Sequence, residues 1–218
     1  MSEYKGIIEK IKLYLQRRGI EKECIEKSFV PCTDEHRLAA LSKLYDFYSK
    51  WSAIFLEEDE ELVELKDYEL PESVLNFYRD YEPNELPCLE GGIYLLNLEG
   101  IKDENSNSSP GAYLIKYGLV TIAITIGGNA ICLDLNWIAN GEPRVVYADN
   151  SWFSFNDEER KVEFSFYPFD IEEEDEFLTH SIIKKYLPQI SQSFHGFLEM
   201  LSSESEWEAE DYYDLIGK

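Results

Sequence analysis

The stretch LVTIAITIGGNAICLDL, residues 119–135, decides the fold. Its first half alternates with a period of two, which places four β-branched residues on one face of a strand: Val120, Ile122, Ile124 and Ile126. The sequence Gly127-Gly128-Asn129 follows, and such residues accept the positive φ angles of a tight turn. Because alternation resumes after this turn, the stretch predicts the central antiparallel hairpin of a sheet, with one face on a core.

A transmembrane helix is the alternative interpretation of the same stretch, because no charged residue lies between Lys116 and Asp134. This uncharged run is barely long enough to cross a bilayer, and Gly-Gly-Asn stands in its middle. The hairpin interpretation is therefore favoured.

The negative charge of the chain is large and unevenly spread. The sequence has 44 acidic and 20 basic residues, for a formal net charge of −24 at pH 7. Residues 1–50 hold 8 acids and 10 bases, so residues 51–218 carry all of the negative charge. Such a field repels nucleic acids and anionic membranes and attracts a basic partner. Acidity that serves only solubility is the simpler explanation of the same composition.

Helices are predicted toward both ends of the chain. Residues 2–18 carry a buried stripe at helical spacing and end at Gly19, and Pro71 suits the first position of a later helix. Predicted helices cover residues 2–18, 33–55, 71–81, 177–187 and 191–201. Between them the pattern changes to short strands. Predicted strands cover residues 93–98, 113–117, 119–126, 130–135, 144–147, 152–155 and 162–166.

Two connections in the strand region have clear turn or loop composition. Residues 102–111, KDENSNSSPG, are predicted to form a polar, mobile loop. Asn140-Gly141 is predicted to form a tight turn between two strands.

The titratable residues form no recognisable catalytic or metal-binding motif. The histidines lack the spacing of a zinc site, and the acids of residues 170–176 lack the alternation and the glycine of a calcium loop. Gly127-Gly128-Asn129 leads into a strand rather than a helix N-terminus, so it does not predict a phosphate site. We therefore predict no cofactor, no metal and no catalysis. An enzyme with an unrecognised carboxylate site is kept as an alternative.

The cysteines and the N-terminus indicate a cytoplasmic protein. The four cysteines are widely spaced, and a chain of this size does not need disulfides. Charged residues interrupt any early apolar run, so no signal peptide is visible.

Three motifs together resemble the SUKH superfamily, which includes fungal regulators of cell-wall glucan synthesis and bacterial immunity proteins. The motifs are LVEL at 62–65 followed by LPESVLNFY at 70–78, then IGGNAICLD at 126–134, and SFHGFL at 193–198. The resemblance implies an α+β fold with a central antiparallel sheet and helices packed around it. It implies no catalysis, and recognition of a protein through the sheet face and adjoining loops.

The resemblance also implies an organisation and a function. Residues 1–56 would be an N-terminal helical extension, 57–202 a SUKH-like α+β domain, and 203–218 an acidic C-terminal tail. The implied function is an immunity protein that binds and neutralises a toxin domain through an acidic surface. A regulatory scaffold of the glucan-synthesis type is the alternative. The expected partner is a protein, such as a basic nuclease toxin domain, and neither nucleic acid nor a membrane.

Seven residues are candidates for contact with that partner: Asp134, Asp149, Trp152, Glu172, Glu173, Glu174 and Asp175. Asp134 lies in mid-strand, where an acid is disfavoured, and we expect its side chain to point to solvent from an open sheet face. Trp152 lies beside a polar turn and is either an exposed anchor or a core tryptophan.

Overall fold

The structure, a computed structural model, describes residues 3–42, 68–159, 161–165 and 176–202. The helices of these segments are α1 (Lys5–Arg17), α2 (Lys22–Lys27), α3 (Glu35–Ser42), α4 (Glu72–Tyr81), α5 (Leu98–Asn107), α6 (Gly111–Leu114), α7 (His180–Tyr186) and α8 (Phe194–Met200). The strands are β1 (Phe29–Val30), β2 (Glu82–Pro83), β3 (Ile93–Leu95), β4 (Leu119–Thr125), β5 (Ala130–Ala139), β6 (Glu142–Ala148), β7 (Phe153–Asn156), β8 (Lys161–Phe164) and β9 (Gln189–Ser191).

The centre of the fold is a five-stranded antiparallel sheet in the order β3-β4-β5-β6-β9. The pairs β1–β2 and β7–β8 form two smaller antiparallel sheets. Helices surround the central sheet, with α5 and α6 against β4 and α8 against β6. The predicted α+β fold with a central antiparallel sheet is therefore confirmed.

The predicted hairpin forms from β4 and β5, paired from Leu119 opposite Asp134 to Ile124 opposite Ala130. The transmembrane alternative is wrong for this stretch. The prediction of one buried face is also wrong, because residues of both alternations along β4 are buried. A register shift between Thr121 and Ala123 interrupts the alternation, and Ile126 beyond the strand is 70% exposed.

The predicted loop at residues 102–111 is wrong over most of its length, because residues 98–107 form α5. The Asn97 side chain caps this helix by accepting a hydrogen bond from the Gly100 N–H at 2.8 Å. The buried Asn105 side chain then bonds both backbone groups of Thr121 in β4, with distances of 2.8 and 2.9 Å. A polar helix is stable here because Asn105 bonds the backbone of β4 while Leu98 and Ile101 are buried.

The strand predicted at residues 113–117 is also wrong. These residues form the end of α6 and a 3₁₀ turn at Ile115–Tyr117, closed by Gly118 with φ 75°. The apolar side chains of Leu114 and Ile115 are both buried, although they are neighbours in sequence. Two adjacent buried side chains fit a helical turn, whereas a strand would place them on opposite faces.

Helices form at each of the five predicted places, within the limits of the described residues. The part of the second prediction beyond residue 42 lies outside those residues, as does the acidic tail from residue 203. The predicted strand near 152–155 forms β7, but it pairs with β8 instead of extending the central sheet. Strand β9 at the sheet edge was not predicted.

The N-terminal helices belong to the same hydrophobic core as the sheet. Tyr4 packs edge-on against Phe77 of α4, with 5.3 Å between ring centroids, and contacts Phe194 of α8 at 6.0 Å. The Arg37 guanidinium donates two hydrogen bonds to the buried Glu82 carboxylate, at 2.7 and 3.2 Å. These contacts place α1 and α3 against the domain, while the proposed boundary at residue 56 stays a prediction.

Candidate functional site

The tip of the β5–β6 hairpin exposes two large apolar side chains that are neighbours in sequence. Strand β5 is buried from residue 130 to 135 and exposed from 136 to 139. Trp137 and Ile138 are neighbours in the exposed half, and they are 48% and 47% exposed. Asn140 and Gly141, with φ of 55° and 80°, make the tight turn that the sequence predicts. Two large apolar side chains are thus held in solvent on a rigid sheet element.

An irregularity in β5 separates its buried half from its exposed half. Asp134 lies opposite Arg144, but the next paired residue, Ile138, lies opposite Pro143. Three residues of β5 therefore have no counterpart in β6, and the strand bulges there. Bulges of this kind re-aim side chains, which explains why Trp137 and Ile138 leave the core.

Asp134 and Arg144 form a buried ion pair at the base of this bulge. Arg144 Nε and Nη2 contact Asp134 Oδ2 at 2.7 and 2.6 Å. The other carboxylate oxygen, Oδ1, accepts hydrogen bonds from the backbone and side-chain nitrogens of Asn136, each at 3.0 Å. Both oxygens of the buried carboxylate are therefore satisfied, as a buried charge requires.

The ion pair also positions Trp137. Arg144 Cζ lies 5.3 Å from the centroid of the Trp137 ring, and Lys184 Nζ of α7 lies 5.5 Å from it. Both distances are within the range of cation–π attraction. These two cations restrict the position of the half-exposed indole.

An open groove of about 990 Å³ runs along the Ile138 side of the hairpin. Four of its lining residues are glutamates, namely Glu3, Glu69, Glu72 and Glu142. Apolar side chains of Leu70, Pro71 and Leu75 line the same groove with Ile138. We call this feature the acidic groove. It brings together Glu3, residues 69–75 at the start of α4, and the hairpin, which are far apart in sequence.

Hydrogen bonds tie the walls of the acidic groove together. The Tyr4 hydroxyl donates to the Ser73 carbonyl at 3.2 Å, and Ser73 Oγ donates to the Gly141 carbonyl at 3.2 Å. The His195 N–H donates to Glu142 Oε2 at 2.8 Å. Burial raises the pKa of Tyr4 above its usual range, and the nearby charges of Glu142 and Glu3 raise that pKa further.

A smaller pocket lies on the Trp137 side of the hairpin. Its lining includes Gln189, Gln192 and Ser193 beside Trp137, and Glu142, which lines the acidic groove as well. The amide and hydroxyl groups are neutral hydrogen-bonding groups, and Lys184 Nζ lies over the Trp137 ring. Both sides of the hairpin share Glu142, whereas Glu3, Glu69 and Glu72 line only the groove next to Ile138.

The structure places two of the candidate contact residues in the interior. Asp134 is 1% exposed, so the expectation that it points to solvent is wrong; the Arg144 guanidinium across the strands compensates its charge. Trp152 is 2% exposed and packs edge-on against Tyr147, with 5.8 Å between ring centroids. Of the two interpretations of Trp152, the core tryptophan describes its position.

Asp149 is the remaining candidate residue within the described segments. Asp149 is half-buried, and its carboxylate accepts hydrogen bonds from the backbone and hydroxyl of Ser151 at 2.8 and 2.6 Å. It caps the 3₁₀ turn Asn150–Trp152. Glu172, Glu173, Glu174 and Asp175 lie outside the described residues.

Sequence reasoning missed Trp137 and Ile138. The signal was present, because the alternation of the stretch breaks where Trp137 and Ile138 stand side by side just before Asn140-Gly141. Two neighbouring apolar residues beside a hairpin turn cannot both point to one core face of a regular strand.

Neither a metal cluster nor a membrane span is found in the described segments. No group of three or more His, Cys, Asp or Glu side chains is arranged there to hold a metal ion. No helix of those segments combines the length and the apolar character that a bilayer crossing requires.

The fold and the hairpin surface define an α+β protein that presents a rigid, half-apolar and half-acidic surface. A sequence model of the SMI1 / KNR4 family (SUKH-1) matches residues 54–200, and the chain belongs to this family. Comparisons with curated proteins and with solved structures found no significant match. Membership supports, at the level of the family, a non-catalytic immunity or regulator-type protein that acts through protein–protein interaction.

Proposed function

We propose that this protein is an immunity protein that acts in the cytoplasm by binding a basic toxin domain and blocking it. The observation that carries the proposal is the β5–β6 hairpin tip, where the exposed Ile138 lines an acidic groove and its neighbour Trp137 is half-exposed. An aromatic anchor surrounded by charge is the arrangement that interfaces use for affinity and for fast encounter.

The overall charge supports the same proposal. A net charge of −24 accelerates association with a cationic partner and makes that association sensitive to salt. The acids Glu172, Glu173, Glu174 and Asp175 remain proposed contributors to this steering. Replacing all four with Ser is expected to slow association at low salt and to flatten its salt dependence.

The experiment that tests the function begins with affinity capture from a lysate of the source cells at low and at high salt, read by mass spectrometry. The captured protein is then expressed in a host strain with and without this chain. We expect growth arrest by the captured protein alone and normal growth when both are made. If growth is arrested equally in both cases, the immunity proposal is wrong.

A regulatory scaffold is the second candidate function, because family membership supports either type. Recovery of several signalling proteins, none of them toxic when expressed, would favour the scaffold. The hairpin surface gives no support to the enzyme alternative. Asp134, the best single candidate for a catalytic carboxylate, is buried in an ion pair with Arg144.

A further inference from the structure

We propose that the acidic groove binds a Lys- or Arg-rich segment of the partner protein, with a cationic side chain lying along Ile138. This inference rests on the proposed function for one premise, which is that the partner is a basic protein. It assigns the contact to a surface that includes Glu3, just before helix α1, as well as residues of the family domain.

The charge of the groove favours a cationic occupant. Its charged lining residues in the described part of the chain are Glu3, Glu69, Glu72 and Glu142, with His195 beside them and no lysine or arginine. Among the four glutamates, Glu72 alone has an ion pair with a described residue. Arg79 Nη1 lies 3.5 Å from Glu72 Oε1. Exposed carboxylates without bound cations attract a basic segment and repel an anionic one.

The apolar wall of the groove favours lysine or arginine over a small cation. Ile138 is 47% exposed at the mouth, and Leu75 and Pro71 are half-buried along it. Lysine and arginine bury their methylene stems on such surfaces while their charged heads stay in water beside carboxylates. A metal ion would use only the carboxylates and leave the apolar wall exposed to water.

The electrostatics of the groove floor agree with this assignment. The charges of Glu142 and Glu3 act on the buried Tyr4 hydroxyl and add to the burial that raises the pKa of that group. Glu142 is itself fixed by the His195 N–H at 2.8 Å. One half-buried carboxylate is therefore preorganised in the groove, while Glu3, Glu69 and Glu72 are exposed.

The test uses a fluorescein-labelled peptide of about ten residues that alternates lysine and alanine, with binding read by anisotropy at low salt. The groove variant is Glu3→Gln/Glu69→Gln/Glu72→Gln. The matched control is Asp157→Asn/Glu158→Gln/Glu159→Gln on the β7–β8 turn, which changes the net charge by the same amount at exposed sites. We expect about tenfold weaker binding for the groove variant and less than about twofold for the control.

Equal weakening of both variants, or native affinity in the groove variant, would overturn the inference. A second measurement avoids variants altogether, because amide chemical shifts of the native full-length chain can be followed during titration with the peptide. We expect the largest changes at Ile138, Gly141 and His195. Changes confined to the β7–β8 turn would place the peptide elsewhere and refute the assignment.

The failure of this inference can be distinguished from the failure of the proposed function. If the peptide occupies the groove but co-expression protects no cell from a captured toxin, the immunity function is wrong and the groove assignment stands. If the groove variant protects cells as well as the native chain does and binds the peptide equally tightly, the groove assignment alone is wrong.

Discussion

Arg144 holds the Asp134 carboxylate through Nε and Nη2, at 2.7 and 2.6 Å, and at the same time lies under the ring of Trp137. The pair is buried, with 1% of Asp134 and 8% of Arg144 exposed. One arginine therefore links the core of the sheet to the exposed hairpin tip. The stability of the sheet and the position of the proposed anchor depend on the same side chain.

Replacing Asp134 with Asn is expected to destabilise the protein by about 3–5 kcal/mol, because the Arg144 guanidinium would stay buried without a counter-charge. The loss is measured by urea unfolding at neutral pH. The control, Asp103→Asn on the exposed face of α5, is expected to change the unfolding free energy by less than about 1 kcal/mol. Equal effects of the two variants would show that the buried pair contributes nothing specific.

Replacing Trp137 with Ala is expected to weaken binding of the captured partner by about 2 kcal/mol, or roughly thirtyfold in Kd. The unfolding free energy is expected to fall by about 1–2 kcal/mol, since the half-exposed ring loses the contacts of its buried half and those with two cations. Calorimetry measures the first quantity, and urea unfolding the second.

The matched control for Trp137 is Leu13→Ala, which removes a 46% exposed apolar side chain from α1. We expect no change in its affinity for the partner. A Trp137→Ala variant that binds as tightly as the Leu13→Ala variant would exclude the indole as an anchor.

The centre of the fold could be predicted because its pattern is local. The alternating β-branched residues before Gly127 give a strand, and Asn140-Gly141 gives the next turn, without knowledge of any distant contact. Helix α5 could not be predicted in this way. Its polar sequence is helical because Asn105 bonds the backbone of Thr121 across the fold, and sequence spacing does not show such a contact.

The site was harder to predict than the fold. Asp134 was singled out correctly as an unusual acid in a strand, but its burial depends on Arg144 lying directly opposite in the register. Trp137 and Ile138 are exposed by a bulge, which a regular alternation does not anticipate. The acidic groove joins Glu3 to residues of α4 and the hairpin, and only the folded chain brings them together.

Alanine substitutions at Gly118 and Gly128 distinguish backbone strain at a positive φ angle from steric collision of the added Cβ. Their φ angles are 75° and 82°, but a Cβ at Gly118 would collide with the ring of Tyr68, whereas a Cβ at Gly128 meets open space. Gly128→Ala is expected to cost about 1–2 kcal/mol from backbone strain alone. Gly118→Ala is expected to cost at least about 1 kcal/mol more, measured by urea unfolding.

The collision at Gly118 has a consequence for the hairpin. The Tyr68 hydroxyl donates to Asn136 Oδ1 at 2.7 Å, and Asn136 Nδ2 donates to the Tyr117 carbonyl at 2.7 Å. Moving the Tyr68 ring would loosen Asn136 at the base of the bulge. Equal losses of stability in the two alanine variants would mean that Tyr68 moves aside without cost.

Tyr78 is expected to tolerate replacement by Phe at neutral pH, and the variant is expected to resist alkali better than the native protein. Its buried hydroxyl has no hydrogen-bond partner within the described segments, so its removal loses no bond. Burial first, and the nearby Glu82 carboxylate second, raise the pKa of Tyr78 above its usual range. The pKa of Tyr78 is higher in the folded than in the unfolded chain. The unfolding free energy of the native protein is therefore unaffected by this group below the unfolded pKa of about 10, and it falls as the pH rises above that value.

The comparison with Tyr4→Phe makes this prediction specific. Burial also raises the pKa of Tyr4, but its hydroxyl donates to the Ser73 carbonyl at 3.2 Å. Tyr4→Phe is therefore expected to cost about 1 kcal/mol at pH 7, where Tyr78→Phe costs nothing. Urea midpoints between about pH 7 and 11 should fall less steeply for both variants than for the native chain. A native-like slope for Tyr78→Phe would mean that this phenol is not held neutral by the fold.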